Sequence, residues 1–403
     1  MRVLIVNAYS ARNRGDAGIV ISMSKMIRDI YGDDVEIDVA SNFYKENESY
    51  YNHYNLNSIP PIWDIGRKLS LPKKIFILLK FLILNAVFKM DDKRFKVYDF
   101  VLSAGGGYVY SSVKGSLGVG YVNSLLNYWY FSTCLKKNVI AFPQSVGPLN
   151  STIDLSLCKY SLKNVSLFFS RDVFTDRLFD EKLNLNYFSS LDIAFYLHDK
   201  NNLKSCVLES EEFVVGITVI DFKFARKVTD DDLILYVDKI NAALMNIKDS
   251  IPNNLKVKVF TQVNVEVEDS DYEISKFLAT KLQNVGVSVE FVDFDESLKV
   301  EEIIESYSKC DLFIGSRLHS AIFSLNSNTP TIGLAYQPKT VGTFERVGAG
   351  KYCLDIEGFS SKDLSLLIHD IYNNGYNKNI FKMIDKEMSL TIGLIESVIK
   401  VKL

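Results

Sequence analysis

The stretch GSRLHS at 315–320 is the most chemically loaded part of the chain, with Arg317 and His319 two residues apart directly after the apolar pattern DLFI. The chain has only four histidines. His53 lies in a Tyr/Asn-rich loop pattern, His198 in a polar stretch and His369 in a helical pattern, all settings that suit surface or structural imidazoles. His319 differs, because SRLHSAIFSL can open a helix whose free N–H groups and positive end favour an anion. Arg317 could grip a carboxylate or phosphate with two donors, and His319 could give or take a proton near pH 7. An i,i+2 pair does not share a face of a regular helix, so both reach one ligand only if the strand-to-helix turn is still irregular there. A simple anion site or a structural turn would use the same residues.

Three further groups stand just past apolar strand patterns. Arg171 and Asp172 follow VSLFFS, and Asp192 follows FSSL; such Arg/Asp pairs fit a structural ion pair as well as a ligand-facing cation. Gly105, Gly106 and Gly107 permit close approach of a ligand to the backbone, but lack the surrounding pattern of either nucleotide-binding glycine motif. Lys339, in PTIGLAYQPKTVG, suits a diphosphate or an acidic sugar, as an ordinary charged loop also would.

These residues need elements to hold them. The strand RVLIVNAYS, the loop ARNRG and a helix from Asp16, a possible N-cap, to Gly32 make an opening βα unit. Residues 42–70 carry no steady period and read as loop. Strand patterns recur at 97–105, 137–147, 165–172 and 188–195, a polar link follows at 196–211, and the alternation then restarts. Leu233, Val237, Ile240, Leu244 and Ile247 predict one apolar helix face, and the helix near 384–401 closes the chain. The expected fold class is α/β, with two Rossmann-like domains facing a cleft: residues 1–196 as the first, 211–375 as the second carrying GSRLHS, and 376–403 as a closing helix.

Composition narrows the function classes. With 47% hydrophobic and 24% charged residues, the 403-residue chain has the makings of packed domains, and its formal charge of −3 offers no field to gather nucleic acid. Five dispersed cysteines without metal spacing suggest a reducing, cytoplasmic setting and no structural zinc. The N-terminus has too short an apolar run for a signal peptide. KKIFILLKFLILNAVFK at 73–89 falls short of the roughly 20 apolar residues needed to span a bilayer, but could lie on a membrane surface.

Seven pieces in order resemble the polysaccharide pyruvyl transferase family: NRGDAGI at 13–19, GGG at 105–107, PQSVGP at 143–148, SRD at 170–172, LDIAF at 191–195, GSRLHSAIFSL at 315–325 and PTIGLAYQPKTVGTFERVG at 330–348. The resemblance implies a glycosyltransferase-B-like fold and transfer of a pyruvyl group from phosphoenolpyruvate to two hydroxyls of a sugar, with release of phosphate. It implies phosphoenolpyruvate as a donor substrate with no cofactor, and a lipid-linked or nucleotide-linked sugar of a polysaccharide precursor as acceptor. His319 and Asp192 then carry proton transfer, while Arg171, Arg317, Leu318, Asp16, Gly106, Gly107 and Lys339 contact substrate, with Arg171 and Asp192 on the acceptor domain. Ser111 and Ser112 stand where an acidic residue is expected in many relatives, and Gly18 stands where alanine is expected. A nucleotide-sugar-dependent glycosyltransferase of the same fold is the alternative.

Overall fold

A computed structural model describes residues 1–62, 93–111, 119–199, 211–223, 225–266, 269–295 and 297–401. The segment 73–89 and most of the polar link expected at 196–211 lie outside the described residues. The chain forms two compact units, one built from Met1–Ala11 with Ile19–Ile193, the other from Arg12–Gly18 with Ala194–Val401.

The first unit is organised on a parallel sheet. Its strands are β1 (Arg2–Ala8), β2 (Glu36–Ser41), β3 (Asn57–Ile59), β4 (Phe100–Ser103), β5 (Gly106–Val109), β6 (Val139–Val146), β7 (Leu167–Ser170) and β8 (Phe188–Ser189). They run in the order β3-β2-β1-β4-β6-β7-β8, with β5 attached to β6. A sheet covered by helices on both faces needs apolar residues on both, which is why β6 is buried at all eight positions and reads as a nearly unbroken apolar run. The aromatic complement packs here: Phe131, Phe142, Phe169 and Phe179 are fully buried.

The second unit repeats the plan. Its strands are β9 (Glu212–Thr218), β10 (Asn254–Phe260), β11 (Asn264–Glu266), β12 (Asp269–Ser270), β13 (Ser288–Val292), β14 (Leu312–Gly315), β15 (Thr331–Ala335) and β16 (Cys353–Asp355). The sheet order is β13-β10-β9-β14-β15-β16, and β11 and β12 make a separate antiparallel pair. This is the strand order of a dinucleotide-binding fold, reversing direction between β9 and β14. The helix Asp230–Lys248 buries Leu233, Val237, Ile240, Leu244 and Ile247, the face that their spacing predicts.

Several local expectations are corrected. The opening helix spans Arg14–Tyr31, and Asn13, not Asp16, stands at its start: the Asn13 carboxamide oxygen accepts from the Gly15 N–H at 3.1 Å. Asn caps as well as Asp does, and taking it lets the helix begin earlier. Within 42–70 there is a helix, Tyr44–Asn52, whose inward face is Asn47, Tyr50 and Tyr51; a face made of amide and phenol groups gives no aliphatic period to read. The strand expected over 188–195 is only Phe188–Ser189, followed by a 3-10 turn at Ile193–Leu197. His198 is not in an exposed link: its Nδ1 meets Asp385 Oδ1 at 2.9 Å and its Nε2 meets Asn328 Oδ1 at 3.0 Å, fastening the closing helix Asn379–Val401.

Capping chemistry fixes where the long helices begin. Thr229 accepts from the Asp232 N–H while the Asp232 carboxylate accepts from the Thr229 N–H, a reciprocal box, and Ser360 does the same with Asp363. Thr229→Ala is therefore expected to lower stability by about 1 kcal/mol, checked by chemical denaturation with an unchanged slope.

Candidate functional site

Ligands of open parallel sheets bind beyond the carboxyl ends of strands where the strand order reverses. In the second unit that point lies between β9 and β14, and β14 runs directly into Ser316, Arg317, Leu318 and His319. The turn is tied down from below. Ser316 N–H donates to the Thr218 carbonyl at 3.2 Å, and the Ser316 hydroxyl lies 2.6 Å from that of Tyr236, a phenol that burial holds above its ordinary pKa and hence protonated. The Ser320 hydroxyl donates to the Arg317 carbonyl at 2.7 Å. Arg317 has extended backbone, φ −90° and ψ 132°, and the helix Leu318–Asn326 begins only after it. The irregular turn that an Arg317/His319 pair requires is thus present.

The guanidinium of Arg317 is oriented by a residue that the sequence did not reveal. Its Nε and Nη2 donate to the Asp271 carboxylate at distances of 2.7 to 3.1 Å, and Asp271 is fully buried. Asp271 precedes the helix Tyr272–Asn284 without its side chain capping it. Nothing local in the sequence around Asp271 could signal a cation 46 residues further on.

The glycine motif and the histidine motif meet at van der Waals contact. A Cβ on Gly15 would fall 2.2 Å from His319 Nδ1 and 2.5 Å from its Cγ, far inside any permitted approach. Three residues later, a Cβ on Gly18 would fall 2.5 Å from the Phe323 ring. This gives Gly18, where alanine was expected, a physical reason: the helix Leu318–Asn326 carries a phenylalanine whose ring occupies that space. Asn13 forms an isolated antiparallel bridge with Val263, and Arg14, buried, donates through Nη2 to the Asp295 carbonyl at 2.9 Å. Arg14, Gly15, Arg317 and His319 thereby gather at the carboxyl end of the second sheet, though Arg14 had not been singled out. Asp16 is half-buried in the first turn of its helix. Leu318 is a buried residue at the first helical position, and Lys339 is half-buried in the first turn of Pro338–Arg346, after β15.

In the first unit, Arg171 and Asp192 are ion-paired with each other and almost completely buried, at 1% and 0% side-chain exposure. Arg171 Nε also donates to the Ser145 hydroxyl at 2.8 Å. Asp172 is not part of this pair: it caps the helix Val173–Leu178, accepting from the Phe174 and Thr175 N–H groups. Gly106 and Gly107 open β5, Gly106 with φ 139°, a backbone state that side chains disfavour. Among the described residues, no group of three or more His, Cys, Asp or Glu side chains is placed to hold a metal ion, and no helix is long and apolar enough to cross a membrane.

The family model for polysaccharide pyruvyl transferases matches residues 13–338, a span that opens at the Asn13 cap and includes both Arg171 and GSRLHS. The chain belongs to the polysaccharide pyruvyl transferase family. A 65-residue stretch is 31% identical to the amylovoran biosynthesis protein AmsJ of Erwinia amylovora, spanning 16% of this chain and 16% of that protein. In structure the chain is similar to the UDP-GlcNAc 2-epimerase of Neisseria meningitidis, with TM-score 0.55, 11% identity, and 98% of this chain and 100% of that one covered. It is also similar to the sucrose-phosphate synthase of Thermosynechococcus elongatus, with TM-score 0.54, 11% identity and full coverage of both chains. At such identities the likeness concerns the fold, which is two-unit, α/β and glycosyltransferase-B-like.

Removing one member of a buried ion pair leaves the other charge uncompensated, which costs more than the pair itself contributes. Asp192→Ala is accordingly expected to destabilise the first unit by about 3–5 kcal/mol, and Arg171→Met combined with Asp192→Leu to recover most of that loss. Denaturant titration of the three proteins checks both halves.

Proposed function

We propose that this member of the family transfers a pyruvyl group from phosphoenolpyruvate to a sugar of a polysaccharide precursor, forming a ketal and releasing phosphate. The observation that carries the reading is the Gly15–His319 contact, which brings the stretch that holds Arg14 against the stretch that holds Arg317 and His319. Phosphoenolpyruvate presents a carboxylate and a phosphate, and cations with helix N–H groups suit both.

In the proposed sequence, His319 as imidazolium gives its proton to the methylene carbon of phosphoenolpyruvate. The adjacent carbon becomes electron-poor and is attacked by a sugar hydroxyl, whose proton is lost as the C–O bond forms. Phosphate then leaves with its bonding electron pair, and the second hydroxyl attacks the same carbon and loses its proton, closing the ketal. Arg317, aimed by Asp271, holds one anionic group, and Lys339 and Asp16 are assigned to substrate contact, as are Leu318, Gly106 and Gly107. Arg171 is assigned to the substrate as a second cation. Asp192, ion-paired with Arg171, would accept a hydroxyl proton on releasing it. The acceptor is assigned as a lipid-linked or nucleotide-linked sugar, met on the cytoplasmic side, with 73–89 as the segment proposed to touch the membrane surface.

The glycosyltransferase-B-like fold is consistent with a second reading, transfer of a glycosyl group from a nucleotide sugar, in which the Arg317–His319 stretch has a less specific task. Phosphate released from phosphoenolpyruvate in the presence of sugars supports the first reading, and nucleoside diphosphate released from a nucleotide sugar supports the second.

Two consequences separate the roles. His319→Ala is expected to lower turnover by roughly 10²–10⁴ with little change in phosphoenolpyruvate affinity, whereas Arg317→Ala should chiefly raise KM for phosphoenolpyruvate; normal turnover in folded His319→Ala would remove the histidine from the chemistry. Gly15→Ala must push the imidazole or the helix aside, and a displacement near 1 Å is expected to cost on the order of 10² in turnover. A changed His319 ring resonance in an otherwise native NMR spectrum would accompany it.

A further inference from the structure

The first sheet has its own reversal of strand order, between β1 and β4, and the groups gathered at its carboxyl end differ in kind from those of the second. Asn7, next to last in β1, holds the left-handed conformation at φ 62°, which asparagine adopts more readily than most side chains. Its side-chain nitrogen donates to the Ser103 hydroxyl at the end of β4, 3.0 Å away, adding a side-chain bond to the backbone pairing of these two strands. The Asn127 nitrogen donates to Asn7 Oδ1 at 2.6 Å. Gln144 Nε2 lies 2.9 Å from the Ser103 hydroxyl and 2.8 Å from that of Tyr108, whose own hydroxyl donates to the Ala104 carbonyl at 2.6 Å. Burial pushes the Tyr108 phenol well above its ordinary pKa, so it stays a donor.

None of these groups carries a formal charge. The helix Val119–Trp129 that supplies Asn127 packs on β1 and β5, and one turn earlier on the same face stands Asn123. Asn123 Oδ1 is buried and accepts no hydrogen bond among the described residues. A buried acceptor with no donor opposite it disfavours an anion and calls for a group that can donate. Sugar hydroxyls donate and accept, as do carboxamides and phenols.

We infer that the carboxyl end of the first sheet binds a neutral polyhydroxyl ligand, the acceptor sugar, through the carboxamides of Asn7, Asn123 and Asn127 and the phenol of Tyr108. The inference rests on the reading of this protein as one that acts on a sugar, and it assigns neutral amides of the first sheet to the hydroxyls of the acceptor.

Asn123→Ala provides the test, because no protein hydrogen bond to Oδ1 is lost and an unchanged thermal midpoint is expected. Saturation-transfer NMR is recorded on the full chain with methyl β-galactoside, N-acetylglucosamine and UDP-N-acetylglucosamine, and phosphoenolpyruvate binding is measured separately by calorimetry. The expected result is saturation of at least one sugar by the unaltered protein, weakened about threefold to tenfold in Asn123→Ala and less in Asn123→Asp, which keeps an acceptor oxygen. Phosphoenolpyruvate affinity should be the same in Asn123→Ala and fall in Arg317→Ala. Sugar binding that depends on Asn123 without any binding of phosphoenolpyruvate sinks the donor reading and leaves this inference standing. Equal saturation in the unaltered and Asn123→Ala proteins, or no saturation of any of the three sugars, overturns it.

Discussion

Everything proposed for the second unit depends on a steric fact, that no side chain fits between residue 15 and the imidazole of residue 319. The close approach lets the first turn of one helix lie against the first turn of another, and it puts two sets of terminal N–H groups near one place. Arg14 and Arg317 are then delivered by chain geometry alone, each flanking one partner of the contact. A larger residue at 15 would move the histidine and both cations together.

The arginines are not left bare. Arg317 lies against buried Asp271, and Arg171 against buried Asp192. Such pairs contribute little net stability once desolvation is counted, but they fix where a guanidinium points. The cost of holding a cation ready for an anionic ligand is thus met within each unit by a carboxylate from a neighbouring strand end or helix start. Neutral amides at the other sheet's switch point need no such counter-charge, and there Asn7 is held by the Ser103 hydroxyl and the Asn127 amide.

Much of this was legible in the order of residues. Apolar runs of strand length, with helical spacing between them, gave the two α/β units, because buried parallel strands must be apolar on both faces. GSRLHS stood out because an arginine and a histidine at the end of such a run have no packing reason to be there. Asp271 and the Asn7–Asn127 bond were hidden, since each joins residues distant in sequence whose types are ordinary in loops and helix starts. Asn13 was overlooked beside the more obvious Asp16, and the helix Tyr44–Asn52 because its buried side is polar-aromatic. Gly18 read as a departure from pattern until the Phe323 ring gave it a cause.

The membership of Arg12–Gly18 in the second unit bears on how the chain is made. The helix these seven residues pack against follows roughly 300 residues later, a long closure for a chain to make. Until His319 and Phe323 emerge, two glycines and a buried arginine have no surface to rest on. A fragment that starts at Ala194 would contain every strand of the second sheet and still lack one wall of its own site.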